Sequence, residues 1–506
     1  MKNLAFCLLS LLCFSCKPVT QETATTTEKI TRPNILFMIA DDWSYPHAGV
    51  YGDQIVRTPT FDRLAREGAL FNNAYCAAPS CAPSRAAIVT GRYPHQLESA
   101  GNLWSVIPSK FPNWVSLLTE AGYFSGKTRK GWGPGDFKKG GYTHNPAGED
   151  YAGFREFFAK KPADQPFCFW FGSTDPHRDY VPNTGLHTGM DPLMVTVPGF
   201  LPDVDCIRND ILDYYFEVER FDRECGQILQ MLEAAGELDN TIIVMTSDNG
   251  MPFPRAKANL YDYGTRMPLA MRFPSEIAAG TVTDAFMNFI DFAPTFLEAC
   301  GQDIPGEMSG QSLWPLLEAP SNTGGRDMVF LERERHANVR KGDLSYPVRA
   351  VRDHDFLYIR NFMPERWPAG DPVTHQSVGQ YGDVDNSISK FLIMDMEGRA
   401  STGQPDYFKL TFSKRPAEEL YAVNDDPFQL NNLAEDPAYA ERLAGMQETL
   451  QKWMVSSGDL RATEPETIYW DTVLYTPNYQ FHDYDLQAKI GEYEVVPLRG
   501  KKYGCE

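Results

Sequence analysis

Three short apolar runs, each closed by a polar cluster, organise this chain. Asn34–Ala40 reads N-I-L-F-M-I-A, between Pro33 and Asp41-Asp42. Phe167–Gly172, F-C-F-W-F-G, runs into Ser173-Thr174-Asp175-Pro176-His177-Arg178, and residues 240–246, N-T-I-I-V-M-T, run into Ser247-Asp248-Asn249-Gly250. Continuous apolar runs of this length, bounded by turn formers, predict strands buried on both faces of a parallel sheet. Helical spacing predicts helices over residues 60–71, 114–122, 210–236 and 286–300, the last two stopped by Gly236 and Gly301. Together these predict an α/β domain over residues 33–320, with a large sheet flanked by helices. After Asp327 the texture changes. M-V-F-L-E-R-E-R-H and Y-P-V-R-A-V-R-D-H-D-F-L-Y-I-R-N-F alternate like antiparallel strands, which predicts a smaller α+β subdomain over 321–506. Residues 363–415 are rich in Pro, Gly and polar groups, a long irregular stretch of the kind that serves a site or wraps a surface. Residues 417–434 and a helix over 438–454 close the subdomain.

The first sixteen residues combine Lys2 with an apolar run too short to span a bilayer, which predicts a secretion signal. Cys16, after Phe14-Ser15, resembles a relaxed bacterial lipoprotein box, so a lipidated N-terminus at Cys16 is expected, with plain cleavage the alternative. Residues 17–32 are polar and Thr-rich, as in a flexible tether. The expected location is the bacterial cell envelope, periplasmic or as an outer-membrane lipoprotein, touching membrane only through that lipid. A net charge of -20 argues against nucleic acid. It also repels a polyanion at long range, so an anionic substrate has to be caught by a local basic pocket. The ten cysteines follow no zinc spacing.

The chemistry centres on residues 76–92, C-A-A-P-S-C-A-P-S-R-A-A-I-V-T-G-R. Cys81, just before Pro83 in an expected first helical turn, sits where unpaired N–H groups favour negative charge. A buried structural thiol or a Cys76–Cys81 disulfide reads equally well from these residues alone. Asp41-Asp42, adjacent like charges at a strand's carboxyl end, call for a cation between them, or else form a solvated turn. With His177 and Asp248/Asn249 they would share one sheet edge. Such oxygen ligands suit a hard cation, calcium before magnesium. Two basic loops are expected, one over residues 126–134 with Lys127 and Lys130, the other over 257–268 with Lys257. Glu332, Arg333, Arg335, His336 and Arg349 read as substrate contacts or as solvated strand faces, and Arg178 joins them as a substrate contact.

The combination resembles the type I sulfatase family of the alkaline phosphatase superfamily, from Pro33 to about Leu460. Cys81-Ala82-Pro83-Ser84-Arg85 fits its C-x-P-x-R signature, flanked by Asp41-Asp42 and Ser247-Asp248-Asn249-Gly250. The resemblance implies an alkaline-phosphatase-like fold and oxidation of Cys81 to formylglycine by a maturation enzyme. It implies calcium bound by Asp41, Asp42, Asp248, Asn249 and residue 81. Arg85 and Lys130 would position the formylglycine hydrate and the sulfate, while His177 and Lys257 would bind sulfate and protonate the leaving oxygen. One hydroxyl of the hydrate would attack sulfur to give a covalent sulfated intermediate, and the other would collapse to expel sulfate.

Asp175-Pro176-His177-Arg178, residues 247–254, Asn259-Leu260-Tyr261 and Tyr346-Pro347-Val348-Arg349 resemble the N-sulfoglucosamine sulfohydrolase branch. Two positions depart. Trp132 stands where most members carry a histidine, and Lys257 stands where that branch carries arginine. The expectation is therefore hydrolysis of O-sulfate esters on a sulfated polysaccharide, of ulvan or heparan type, over N-sulfate. A phosphodiesterase of the same superfamily would normally carry Ser or Thr in place of Cys81, and an inactive sugar-binding lipoprotein is the reading outside enzymes.

Overall fold

Eight strands build the larger sheet: β1 (Asn34–Ala40), β2 (Ala69–Tyr75), β3 (Phe124–Arg129), β4 (Glu149–Asp150), β5 (Phe167–Gly172), β6 (Thr241–Ser247), β7 (Arg266–Arg272) and β8 (Thr281–Asn288). Their order in the computed structural model is β4-β3-β5-β1-β6-β7-β2-β8, parallel except where β7 runs against β6 and β2. Central β1 pairs in parallel with β5 and β6, so its carboxyl end emerges beside both of theirs. Met1 and residues 32–318, 325–373, 379–399 and 402–472 are described. The expected signal, Cys16, nearly all of the tether and the 320/321 boundary lie outside the described residues.

The alternation of a strand sorts β1 into two cores. Ile35, Phe37 and Ile39 pack on one side with Trp114, Val115 and Phe296, while Leu36, Met38 and Ala40 pack on the other with Phe61, Ile211 and Val218. Helix α1 (Pro59–Glu67) supplies Phe61, α2 (Cys81–Thr90) adds Ile88 and Val89 to the first core, α3 (Trp114–Glu120) supplies Trp114 and Val115, the long helix Asp205–Ala235 supplies Ile211 and Val218, and Phe292–Ala299 supplies Phe296. That is why the strand reads as unbroken apolar sequence.

Four more strands, β9 (Met328–Arg333), β10 (Val348–Asp353), β11 (Phe356–Asn361) and β12 (Glu418–Ala422), form an antiparallel sheet ordered β12-β11-β10-β9. The helix Ala440–Ser457 buries Met446, Leu450, Trp453 and Met454 against it. Both sheets belong to one compact unit.

Three expected elements move. The helix over 60–71 stops at Glu67, because at Gly68 a Cβ would meet Met271 O at 2.1 Å and the next residues join the sheet as β2. Residues 126–129 of the first basic loop belong to β3, paired with β5, so the loop starts at Lys130. The helix over 286–300 is the end of β8 followed by Phe292–Ala299. No helix among the described residues is long and apolar enough to cross a membrane.

Candidate active site

Parallel strands bring their following residues to one edge, and each of four strands delivers a charged group there. Asp41 and Asp42 follow β1, Lys130 follows β3, His177 lies beyond β5, and Asp248 and Asn249 follow β6. Cys81 is the first residue of α2, with Ser80 as its extended N-cap. Helix α2 is fixed to the β6 edge by Ser84 Oγ, which donates to Asp248 O at 2.6 Å. Cys76 and Cys81 are both free thiols, so no disulfide joins them.

The ligand atoms of Asp41, Asp42, Cys81 and Asp248 all lie within 4.8 Å of one another, and all four residues are buried. Cys81 Sγ is 3.4 Å from Asp41 Oδ1. Burial, and then the charges of Asp41 and Asp248, push the thiol well above its usual pKa against the pull of Lys130. Around the carboxylates stands a ring of cations. Lys130 Nζ donates to both oxygens of Asp41 at 2.6 Å, Lys257 Nζ to Asp42 Oδ2 at 2.7 Å, and Arg85 Nε to Asp248 Oδ2 at 2.7 Å. Burial pushes the Asp41 carboxyl up, but Lys130, His177 and Arg85 override it and hold it well below the carboxylate range. Asp42 differs. Burial, joined by Asp41 and Asp248, pushes it up to about 6 despite Lys257 and His177.

Two observations test whether a cation fits. Asn249 Oδ1 is buried without a hydrogen-bond partner, although Asn249 Nδ2 donates to Asp42 Oδ1 at 2.7 Å. Asp42, raised first by burial and then by Asp41 and Asp248, is one of three carboxylates crowded into one buried space. A hard cation among these oxygens would satisfy both, and the all-oxygen protein set with one position at residue 81 fits the group.

Above the cluster opens a cavity of about 930 Å³ that reaches Cys81, Lys130, Trp132, His177, Lys257 and His336. His177 Nδ1 donates to Arg178 O at 2.6 Å, so Nε2, 3.9 Å from Asp42 Oδ2, is the nitrogen left facing the carboxylate cluster. His336 hydrogen-bonds Ser80 Oγ at 2.8 Å, and burial lowers its pKa to about 3, so it meets the cavity as a neutral ring. Trp132 is buried in the cavity wall at the position where histidine is usual in the resemblance.

The remaining expected substrate contacts sit elsewhere. Arg333 pairs with Asp383 and donates to Ala258 O. Arg335 donates to Asp343 O and Trp470 O. Glu332 holds His95, and Arg349 is locked by Asp459 and Glu334. Each is at most 4% exposed and absent from the cavity wall, because charged residues on these strands point into the packing between elements and not to solvent. Arg178 does line the cavity, with its guanidinium held by both oxygens of Asp210.

Sequence reasoning missed Asp385. It lines the cavity, accepts from Lys257 Nζ at 3.1 Å, and clusters with Asp42 and His177. The one signal was its place inside the irregular stretch 363–415.

A ring of cations over a carboxylate cluster, with a cysteine at the first turn of a helix, defines a hydrolase site for an anionic ester. Residues 33–153 and 149–302 match the family model described as sulfatase, and residues 255–368 match the one described as N-sulphoglucosamine sulphohydrolase, C-terminal. The chain belongs to the sulfatase family, within the alkaline-phosphatase-like superfamily, and is a sulfuric ester hydrolase. It is 30% identical to an ulvan-active sulfatase of Formosa agariphila over 89% of this chain and 80% of that one. It is also 30% identical to the human N-sulphoglucosamine sulphohydrolase, over 86% of this chain and 92% of that one. Among solved structures, an enzyme in complex with its substrate D-glucosamine-2-N,6-O-disulfate shares the fold, with a TM-score of 0.61 at 21% identity over 86% of this chain and all of that one.

Proposed function

We propose that the protein hydrolyses O-sulfate esters on saccharide units of a sulfated polysaccharide, ulvan-type or heparan-type. The observation that carries this reading is Cys81 Sγ on the cavity floor, 3.4 Å from Asp41 in the carboxylate cluster, beneath Lys130, Lys257 and His177. A thiol held protonated by burial is a poor nucleophile. This favours maturation of Cys81 to formylglycine, which supplies a geminal diol with one hydroxyl to attack sulfur and a second to let sulfate depart. Calcium held by Asp41, Asp42, Asp248, Asn249 and residue 81 supplies positive charge toward the reacting group.

The chain's own side chains do the rest. Arg85, held by Asp248 and by the carbonyls of Lys130 and Gly131, fixes the first turn of α2 against the basic loop. Lys130 and Lys257 present ammonium groups to the sulfuryl oxygens. Burial opposes the charge on Lys257, but Asp385 and Asp42 hold its pKa well above the usual value, so it binds rather than gives up a proton. That leaves His177 Nε2 to protonate the leaving oxygen.

A second reading, N-sulfate hydrolysis, is favoured by the match of residues 255–368 to the sulphohydrolase C-terminal model. A panel of defined saccharides decides: sulfate release from O-sulfated members is the expected result, and release from N-sulfoglucosamine alone overturns it. The Lys2-led apolar segment and Cys16 support export to the bacterial envelope as a lipoprotein, which the mass of the mature N-terminal peptide tests.

A further inference from the structure

Beside the sulfate cavity lies a second one, of about 290 Å³. Two ridges are common to both. Arg178 and Asp179 line each cavity, and Asp385 on the wall of the first is followed by Asn386, Ser387 and Ile388 on the wall of the second. The second cavity therefore continues the first along two separate segments, one from each part of the chain. Its volume is close to the lower bound of ligand pockets, about 300 Å³, which suits a single sugar ring.

Its lining carries recognition groups of a particular kind. Asn183 and Asn209 line the cavity, and their side-chain amides make no hydrogen bond with the described residues, leaving donors and acceptors for hydroxyls. Tyr180 and Phe391 add ring surface. Among the described residues its one cation is Arg178, taken by Asp210 at 2.7 and 2.8 Å, and Asp210 also accepts from Ser389. Asp213 is likewise engaged, accepting from the backbone of Asn183 and Gly185. The contrast with the first cavity is one of balance: there Lys130 and Lys257 stand beside the carboxylates, whereas here the described lining offers carboxylates and amides around an Arg178 already taken by Asp210. A sulfated or uronate ring would meet Asp179 and Asp213 with no free cation among the described lining residues to offset it.

We propose that the second cavity is a subsite for an uncharged sugar unit adjoining the sulfated one, so that the enzyme acts on oligomers in preference to free sulfated monosaccharides. This rests on the saccharide sulfatase reading above. The test compares kcat/KM for sulfate release from a sulfated monosaccharide, from disaccharides carrying a neutral unit on either side of the same sulfated ring, and from disaccharides carrying a uronate there. One neutral disaccharide is expected to exceed both the monosaccharide and its uronate counterpart by about tenfold or more. Asn209→Trp, which fills the cavity, and Asn386→Ala should each shrink that ratio. The ratio is internal to one preparation, so partial loss of folded enzyme cancels. Equal kcat/KM for mono- and disaccharides in the wild type, or a ratio unchanged in both variants, overturns the subsite alone. No sulfate release from any saccharide overturns the parent reading with it.

Discussion

Two clusters of buried charge, each of carboxylates facing cations, behave in opposite ways. In the C-terminal one, Glu332, Glu334 and Asp459 face Arg349, Arg461 and His95. Burial works against charge on His95, but Glu332 outweighs it and raises its pKa, so the ring is drawn into the carboxylate network. None of these six side chains leaves a buried polar atom unpartnered. The cluster around Asp41, Asp42 and Asp248 is left open: Asn249 Oδ1 has no partner, Asp42 is raised to about 6, and its cations line a cavity. A closed network holds structure together, whereas an open one is poised for a ligand. Charge and burial alone do not separate the two; completeness of pairing does.

Removing the hub of the closed cluster is the strongest way to break the comparison. Arg349→Met strips Asp459 of its guanidinium partner and leaves Glu334 with Arg461 alone, and should lower unfolding free energy by about 3–5 kcal/mol, read from urea denaturation, with calcium giving no rescue of the difference. The open cluster should answer to a cation instead. Calcium at about a hundred times its Kd should stabilise the wild type by about 2.7 kcal/mol in thermal or chemical unfolding, and Asp248→Ala should abolish most of that gain.

Two of the buried histidines, His336 and His95, sharpen the contrast through pH, with opposite signs. His336 has a folded pKa of about 3 against 6.5 unfolded, so the unfolded chain takes up the proton first and stability falls as pH drops below 6.5. His336→Gln should therefore lose about 1–2 kcal/mol less than wild type between pH 6.5 and 5. His95, raised by Glu332, contributes stability that is present below pH 6.5 and lost as pH climbs through its folded pKa. His95→Gln should flatten that alkaline loss. The smallest effect is expected at Asp42. Because its ionised form is held at a cost, Asp42→Asn without calcium should change unfolding free energy by less than about 1 kcal/mol while sulfate release collapses.

Much of this was legible before any coordinates. Strands β1, β5 and β6 read directly because both faces are covered, leaving continuous apolar runs whose ends had to carry Asp41-Asp42, His177 and Asp248-Asn249. What failed depended on partners far along the chain. Arg349 and Arg333 alternate with apolar residues as exposed strand positions would, and only Asp459 and Asp383 turn them inward. Asp385 sits in sequence without periodicity, and its bond to Lys257 spans 128 residues. The end of α1 was misread because the apolar residues after Gly68 fit a helix as well as a strand until β7 pairs with them.

The account's central claim is that Cys81 works as an aldehyde hydrate and not as a thiol. Mass spectrometry of the peptide 76–92 from the native host, taken on a preparation whose sulfate release has been measured, tests it most directly. Activity should track the fraction of peptide in which the Cys81 thiol has been replaced by an aldehyde. Full activity on a sulfated saccharide with an unmodified thiol throughout would contradict it.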